Sequence, residues 1–330
     1  MTGSVRGRTG VLVMAHGTPS TTAGIESFYT AIRRGRPPTP ELLAELVGRY
    51  EAIGGTSPLT ERTRAQVEGL TAALDAVAPG KFVVRFGAKF TSPTIEDGMA
   101  ELADTGVVRV IGLVLTPHQS SLGSGDYLRR AQAAATSAPA PIDLVPVPSW
   151  HRSEGLARLL ADRTGAALAS LRAEDRSRPA VFFTAHSLPV RVVAEDDPYP
   201  DQVTESASDI AGLLHLDDVD GLTWGVAWQS AGRTEEPWIG PELLTEIRRV
   251  AADGATAVVV CPVGFVSDHL EVLYDLDIEA AQAARAAGMA FTRTTSLDDD
   301  PRFLDLLARV VQRSAAAAHP PLVTGSTTPA

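Results

Sequence analysis

Asp268, Glu271, Asp275 and Glu279 stand three or four positions apart. On a helix that spacing stacks them along one face. The face is not an ordinary wet one, because Val272 and Leu276 flank it on one side and Ile278 on the other. A row of oxygen ligands between apolar neighbours describes a path for a cation. Like charges one turn apart cost a few tenths of a kcal/mol when exposed. At ~6 Å and an effective dielectric of about 20 the cost is roughly 3 kcal/mol per pair. In a cleft, a bound cation or raised pKa values would relieve it. Asp268 and Glu271 also fit a helix N-cap and its third-position partner, which leaves Asp275 and Glu279 unexplained.

A second group able to do chemistry is His186, in Thr184-Ala-His-Ser-Leu-Pro189. A neutral imidazole can bind a metal or accept a proton near neutral pH. The motif echoes an earlier one, Val11-Leu-Val-Met-Ala-His-Gly-Thr-Pro19. In both, an apolar run ends in Ala-His, followed by a small residue and then Pro. His118, in Leu115-Thr-Pro-His118, closes another apolar run. Histidines at strand ends also serve as plain structural caps, so each taken alone is open to either reading.

The elements that must position these groups alternate. Short β-branched runs at 11–15, 82–87, 108–115, 142–147, 180–185, 222–229, 257–263 and 290–292 predict strands. Helical patterns fill 23–34, 40–53, 59–78, 95–105, 127–137, 154–172, 203–214, 242–253 and 301–313. Continuous apolar strands separated by helices predict parallel sheets covered on both faces. The echo between the halves predicts two similar Rossmann-like α/β domains, each with a four-stranded sheet: residues 1–148 and 149–313, with a disordered tail over 314–330. Ligands of such sheets bind beyond the carboxyl ends of the strands, where His16, His118 and His186 fall.

The 330 residues suffice for two domains, and 44% hydrophobic with 21% charged residues is ordinary for a globular protein. A net charge of −11 argues against nucleic-acid or anionic-membrane partners. No run reaches the roughly 18 apolar residues of a membrane span, and the run after Arg6 and Arg8 is too short for a signal peptide. The single cysteine, Cys261, rules out an intrachain disulfide. It cannot alone hold an iron–sulfur cluster, and the thiol-poor chain fits the cytoplasm.

Arg33-Arg34-Gly35-Arg36 and Arg49-Tyr50 concentrate positive charge in an acidic chain. Arginine forks suit carboxylates, so an anionic small molecule is one reading; complementing helix dipoles is the other. Gly54-Gly55-Thr56-Ser57-Pro58 and Gly123-Ser-Gly125 offer backbone N–H groups, but neither matches a phosphate-loop or dinucleotide pattern. Trp224, Trp228 and Trp238 read as core. No compact metal motif such as His-Glu-x-x-His is present, which disfavours a metal-dependent hydrolase.

Together these segments resemble the ferrochelatase family, most closely its bacterial branch acting on coproporphyrin. The resemblance is carried by Val13-Met-Ala-His-Gly-Thr-Pro19, Tyr29-Thr-Ala-Ile-Arg-Arg-Gly-Arg36, Arg49-Tyr-Glu-Ala-Ile-Gly-Gly-Thr-Ser-Pro-Leu59 and Thr184-Ala-His-Ser-Leu-Pro189. Asp197-Pro-Tyr-Pro-Asp-Gln202, Trp228-Gln-Ser-Ala-Gly232, Pro237-Trp-Ile-Gly-Pro241 and Pro262-Val-Gly-Phe-Val-Ser-Asp-His-Leu-Glu-Val-Leu-Tyr-Asp275 continue it. It implies a chelatase-like fold and insertion of ferrous iron, as substrate, into a porphyrin held between two domains, yielding Fe-coproporphyrin III. It implies that His186 and Glu271 handle the metal. Asp275 and Glu279 would continue as a relay on a helix that is locally π-wound in the family. Arg33, Arg49, Tyr50, Ser57 and Tyr127 would surround the porphyrin. His16 stands where relatives commonly carry a Tyr, as a metal ligand from the other face. Phe90 stands where some relatives have His, so the resemblance does not carry a second metal position there. A monomer with no resident cofactor is expected, handing its product to the next haem-pathway enzyme. Protoporphyrin as substrate, a cobalt–corrinoid chelatase and a non-catalytic tetrapyrrole carrier are the alternatives.

Overall fold

The computed structural model describes residues 7–193, 196–232 and 234–317. Its first half runs β1 (Thr9–Ala15), α1 (Ile25–Ile32), α2 (Pro40–Ala52), α3 (Leu59–Val77), β2 (Phe82–Ala88), α4 (Ile95–Asp104), β3 (Arg109–Val114), α5 (Ser124–Thr136) and β4 (Asp143–Val147). The second runs α6 (Leu156–Ser170), β5 (Pro179–His186), α7 (Val190–Val193), α8 (Tyr199–Leu214), β6 (Thr223–Gln229), α9 (Leu243–Ala252), β7 (Ala257–Cys261), a π-helix (Val272–Ala280), α10 (Ala281–Ala286), β8 (Ala290–Arg293) and α11 (Pro301–Ala317). All eight strands expected from the sequence are present.

Two four-stranded parallel sheets form, with the matching orders β2-β1-β3-β4 and β6-β5-β7-β8. The side-chain period of a strand explains the layering. Along β1, Val11 and Val13 enter a central core while Leu12 and Met14 face an outer one against α4 and α5. Along β5, Val181, Phe183 and Ala185 enter the same central core, and Ala180 and Phe182 face α9 and the π-helix. The central core is therefore shared by both sheets. α11 completes it: Phe303, Leu307 and Val311 are fully buried there, and the helix packs on α3, α6 and the first sheet.

Two expectations shift. The tail does not begin at Ser314, because α11 continues through Ala317; alanine is the best helix former, so the Ala run extends the helix. Residues 318–330 lie outside the described residues. The first turns of α5 and α8 begin three and four residues before the predicted starts, at Ser124 and Tyr199.

Candidate metal-handling site

In each sheet the chain leaves the two central strands in opposite directions, and the carboxyl ends at that switch point open a crevice. The two crevices face one cleft of about 850 Å³, walled by residues of both halves. β1 delivers His16 to it, the loop after β3 His118, β5 His186, and the loop after β7 the segment leading to Glu271. Pairing of β1 with β2 brings Phe90 against His16, ring centroids 4.8 Å apart, and Phe28 packs on both, 5.8 Å from His16 and 6.3 Å from Phe90.

Three of the four cleft histidines share one orientation rule; His118 instead bonds Ser206 Oγ through Nε2 at 2.9 Å and leaves Nδ1 buried without a partner. His16 Nδ1 lies 3.0 Å from the Gly17 carbonyl, His186 Nδ1 2.5 Å from that of Ser187, and His269 Nδ1 2.9 Å from that of Ser267. A carbonyl only accepts, so each Nδ1 carries the proton and donates it. Nε2 is then the nitrogen left for chemistry, the usual arrangement of a histidine prepared for a metal. His186 Nε2 stands 3.6 Å from Glu271 Oε1, and His269 Nε2 3.7 Å from Oε2 of the same carboxylate.

Burial opposes charge on His186, but the Glu271 carboxylate, the Ser187 carbonyl and Asp275 outweigh it and raise its pKa to about 9. Glu271 is likewise penalised by burial, and the charge and hydrogen bonding of His186 and His269 hold it well below the usual carboxylate range. At neutral pH His186 is thus an imidazolium beside a carboxylate, not the neutral ring the sequence suggested. His16 differs: burial lowers its pKa, and the Glu271 charge only partly offsets this. Its free Nε2 keeps a lone pair.

Glu271 sits at the start of a helical segment whose 272–280 stretch is π-wound. Asp275, buried in the second turn, accepts from the Ser230 hydroxyl and lies 3.6 Å from Arg49 Nη1. Burial first, then the Glu271 charge, raises its pKa to about 6. Glu279 lies outside the cleft wall, partly exposed, yet close enough for its charge to act on Asp275. Asp268 leaves the expected stripe. It precedes the helix and faces away, accepting from Ser296 Oγ at 2.6 Å and pairing with Arg293 at 3.2 Å. It caps no helix N–H, so the capping-box reading fails as well. A close approach fixes the helix entrance: a Cβ on Gly264 would stand 2.6 Å from Ala185 Cβ and 2.9 Å from its Cα.

Arg33, Arg49, Tyr50, Ser57 and Tyr127 all line the cleft. α2 places Arg49 and Tyr50 in its last turn. Its start is set by Thr39, whose hydroxyl accepts from Leu42 N, and by Pro40 in the first turn. Arg49 is not simply a free cation for a ligand; it pairs with Glu45 and Asp275 and stacks on Tyr274. Tyr50 shares a hydrogen bond with Thr18 at 3.0 Å. Sequence reasoning missed four members of the wall. His269 was hidden inside the acidic motif. Trp238, read as core, lies beside His186 at 6.4 Å. Lys89 stacks on Tyr127 and pairs with Asp126 at 2.7 Å. Gln66 comes from α3. Among the described residues, no three His, Cys, Asp or Glu side chains gather closely enough to hold a metal ion by themselves. A cation bound at His186 and Glu271 would have to take its remaining ligands from elsewhere.

Two four-stranded sheets with this order, closing on a cleft that offers a His–carboxylate pair, define a chelatase fold. SirB from Bacillus subtilis, solved with Fe3+, matches it with a TM-score of 0.58, over 94% of this chain and 97% of its own, at 14% identity. The ferrochelatase family model matches residues 8–315. A ferrochelatase of Herpetosiphon aurantiacus is 42% identical over 304 residues, 92% of this chain and 98% of that one. A coproporphyrin III ferrochelatase of Anoxybacillus flavithermus is 39% identical over 304 residues, 92% and 95% of the two chains. The chain belongs to the ferrochelatase family.

Proposed function

We propose that the protein inserts ferrous iron into coproporphyrin III. The observation that supports this most directly is the His186–Glu271 pair, held at 3.6 Å in a cleft shared by both halves. Metallation needs Fe²⁺ stripped of water, loss of two pyrrole protons and a macrocycle held still. Two protein donors that cannot hold a metal alone suit an ion whose other ligands are pyrrole nitrogens. Glu271, and His186 once it has given up its own proton, take the iron and the departing protons, His16 Nε2 is a ligand on the first-half side, and Asp275 and Glu279 lead charge toward the surface. Residues 1–148 and 149–313 supply the two walls. Arg33, Arg49, Tyr50, Ser57 and Tyr127 surround the macrocycle, and no resident cofactor is invoked. No helix among the described residues is long and apolar enough to cross a membrane. We place the protein in the cytoplasm, as a monomer that passes its product to the next haem-pathway enzyme.

Coproporphyrin carries two propionates where protoporphyrin has vinyls. Arg33 and Arg34, cations of the wall with no acidic partner among the described residues, favour the more acidic substrate, as does the name of the Anoxybacillus relative. An anaerobic absorbance assay with Fe²⁺ and each porphyrin in turn tests this. Faster metallation of coproporphyrin is expected. A preference for protoporphyrin would reassign the substrate, and tight retention of haem without turnover would make the protein a carrier.

A further inference from the structure

Gln66 takes no part in the mechanism above, yet it sits at the joint between the halves. It lies on α3, is 2% exposed and lines the cleft. Its amide Nε2 donates to Ser267 Oγ at 2.8 Å and to the Asp298 carbonyl at 2.9 Å. Because a carbonyl only accepts, the amide orientation is fixed. Its Oε1 is left buried without a partner, a cost borne for the sake of the two donated bonds. Both acceptors belong to the second half. Arg62, one turn earlier on the same face, approaches Asp298 Oδ2 at 3.6 Å.

Asp298 in turn clamps the segment that leads to Glu271. Its N–H donates to the Val266 carbonyl at 2.8 Å, and its Oδ1 accepts from Asp268 N at 3.2 Å. It does so from a left-handed backbone, φ 44°, which a non-glycine residue adopts at a cost. Ser267, held by Gln66, presents the carbonyl that pins His269 Nδ1, and His269 Nε2 faces Glu271. The line of contacts runs from α3 of the first half through Ser267 and His269 to the Glu271–His186 pair of the second.

We propose that Gln66 is a positioning residue: by bridging Ser267 and Asp298 from the opposite half, it sets the His269–Glu271 geometry only when the two halves are in register. The inference rests on the assignment of Glu271 and His186 to iron handling. Met in place of Gln66 keeps the volume and loses both donors; Ala in place of Ser267 removes one acceptor. Gln66→Met and Ser267→Ala should each lower kcat for iron insertion on the order of tenfold, with porphyrin affinity by fluorescence quenching unchanged. The double variant should be no slower than the worse single one, since both break the same link. Additive losses, wild-type kcat in either variant, or weakened porphyrin affinity with kcat intact would each overturn the proposal. The His269 side-chain 15N resonances give a readout independent of turnover. They should move in Gln66→Met, and signals unchanged from wild type would refute the link even if the iron-insertion assignment itself failed. A wild-type protein inactive toward both porphyrins would count against that assignment alone.

Discussion

In the proposed role of His186, iron and a proton compete for the same Nε2. With a folded pKa of about 9 against 6.5 ordinarily, the imidazolium contributes stability that is fully present below about pH 6.5. That contribution is lost as pH rises through about 9. A cation taking both His186 and Glu271 would have to displace that proton, so metal affinity should rise with pH across the same window. Insertion rates should therefore climb between pH 6.5 and 9, with proton release on Fe²⁺ binding detectable by an indicator dye. His186→Ala should abolish turnover while leaving porphyrin binding intact, and normal turnover would remove His186 from the chemistry. Asp275 has the opposite sign. An acid whose pKa is raised from 3.8 to about 6 costs the folded state nothing below 3.8 and its full penalty, up to about 3 kcal/mol, above 6. Asp275→Asn keeps a partner for Ser230 and removes the charge. Its melting temperature should rise relative to wild type as pH goes from 4 to 7. A constant difference over that range would show that the Arg49 pairing, not burial, dominates. Legibility at this scale was uneven. His16, His186, Glu271 and Asp275 could be picked out because residue type and place at a strand or helix end coincide. Gln66 and His269 could not, because what matters is a hydrogen bond to a partner far off in sequence or a ring turned by a carbonyl.

Strand and helix positions followed from apolar runs and caps, and these were readable. The π-winding over 272–280 was not, since the spacing of its apolar residues fits an α-helix; only the family resemblance pointed to it. A π segment widens the turn and is frequent at functional sites. Here it lets Glu271 reach the cleft while Asp275 stays buried against Arg49 and Ser230. The helix entrance depends on Gly264, whose amide donates to the Thr184 carbonyl at 3.1 Å. Gly264→Ala would push the β7 loop from the end of β5, with backbone rather than a flexible side chain in the way. Destabilisation of roughly 1–3 kcal/mol is expected, with kcat falling further than the folded fraction explains. Chemical denaturation alongside turnover measures both. Unchanged turnover in the folded variant would show that the two elements tolerate separation.

At the scale of the molecule, alternation of strands and helices dictated two parallel sheets, and the repeated Ala-His motif dictated their likeness. The sharing of one core was not readable. The inner faces of both sheets are equally apolar in sequence, and nothing local says that they meet through α3, α6, α8 and α11. That sharing bears on how a new chain is made. The bond between Gln66 and Ser267 spans 201 residues of sequence, and α3 acquires its backing from α11, the last helix described. A ribosome that has finished the first sheet has made one wall and no cleft. The other wall, from His186 to Glu271, comes from the second half. The order of synthesis thus leaves the cleft without one of its walls until the second half is made.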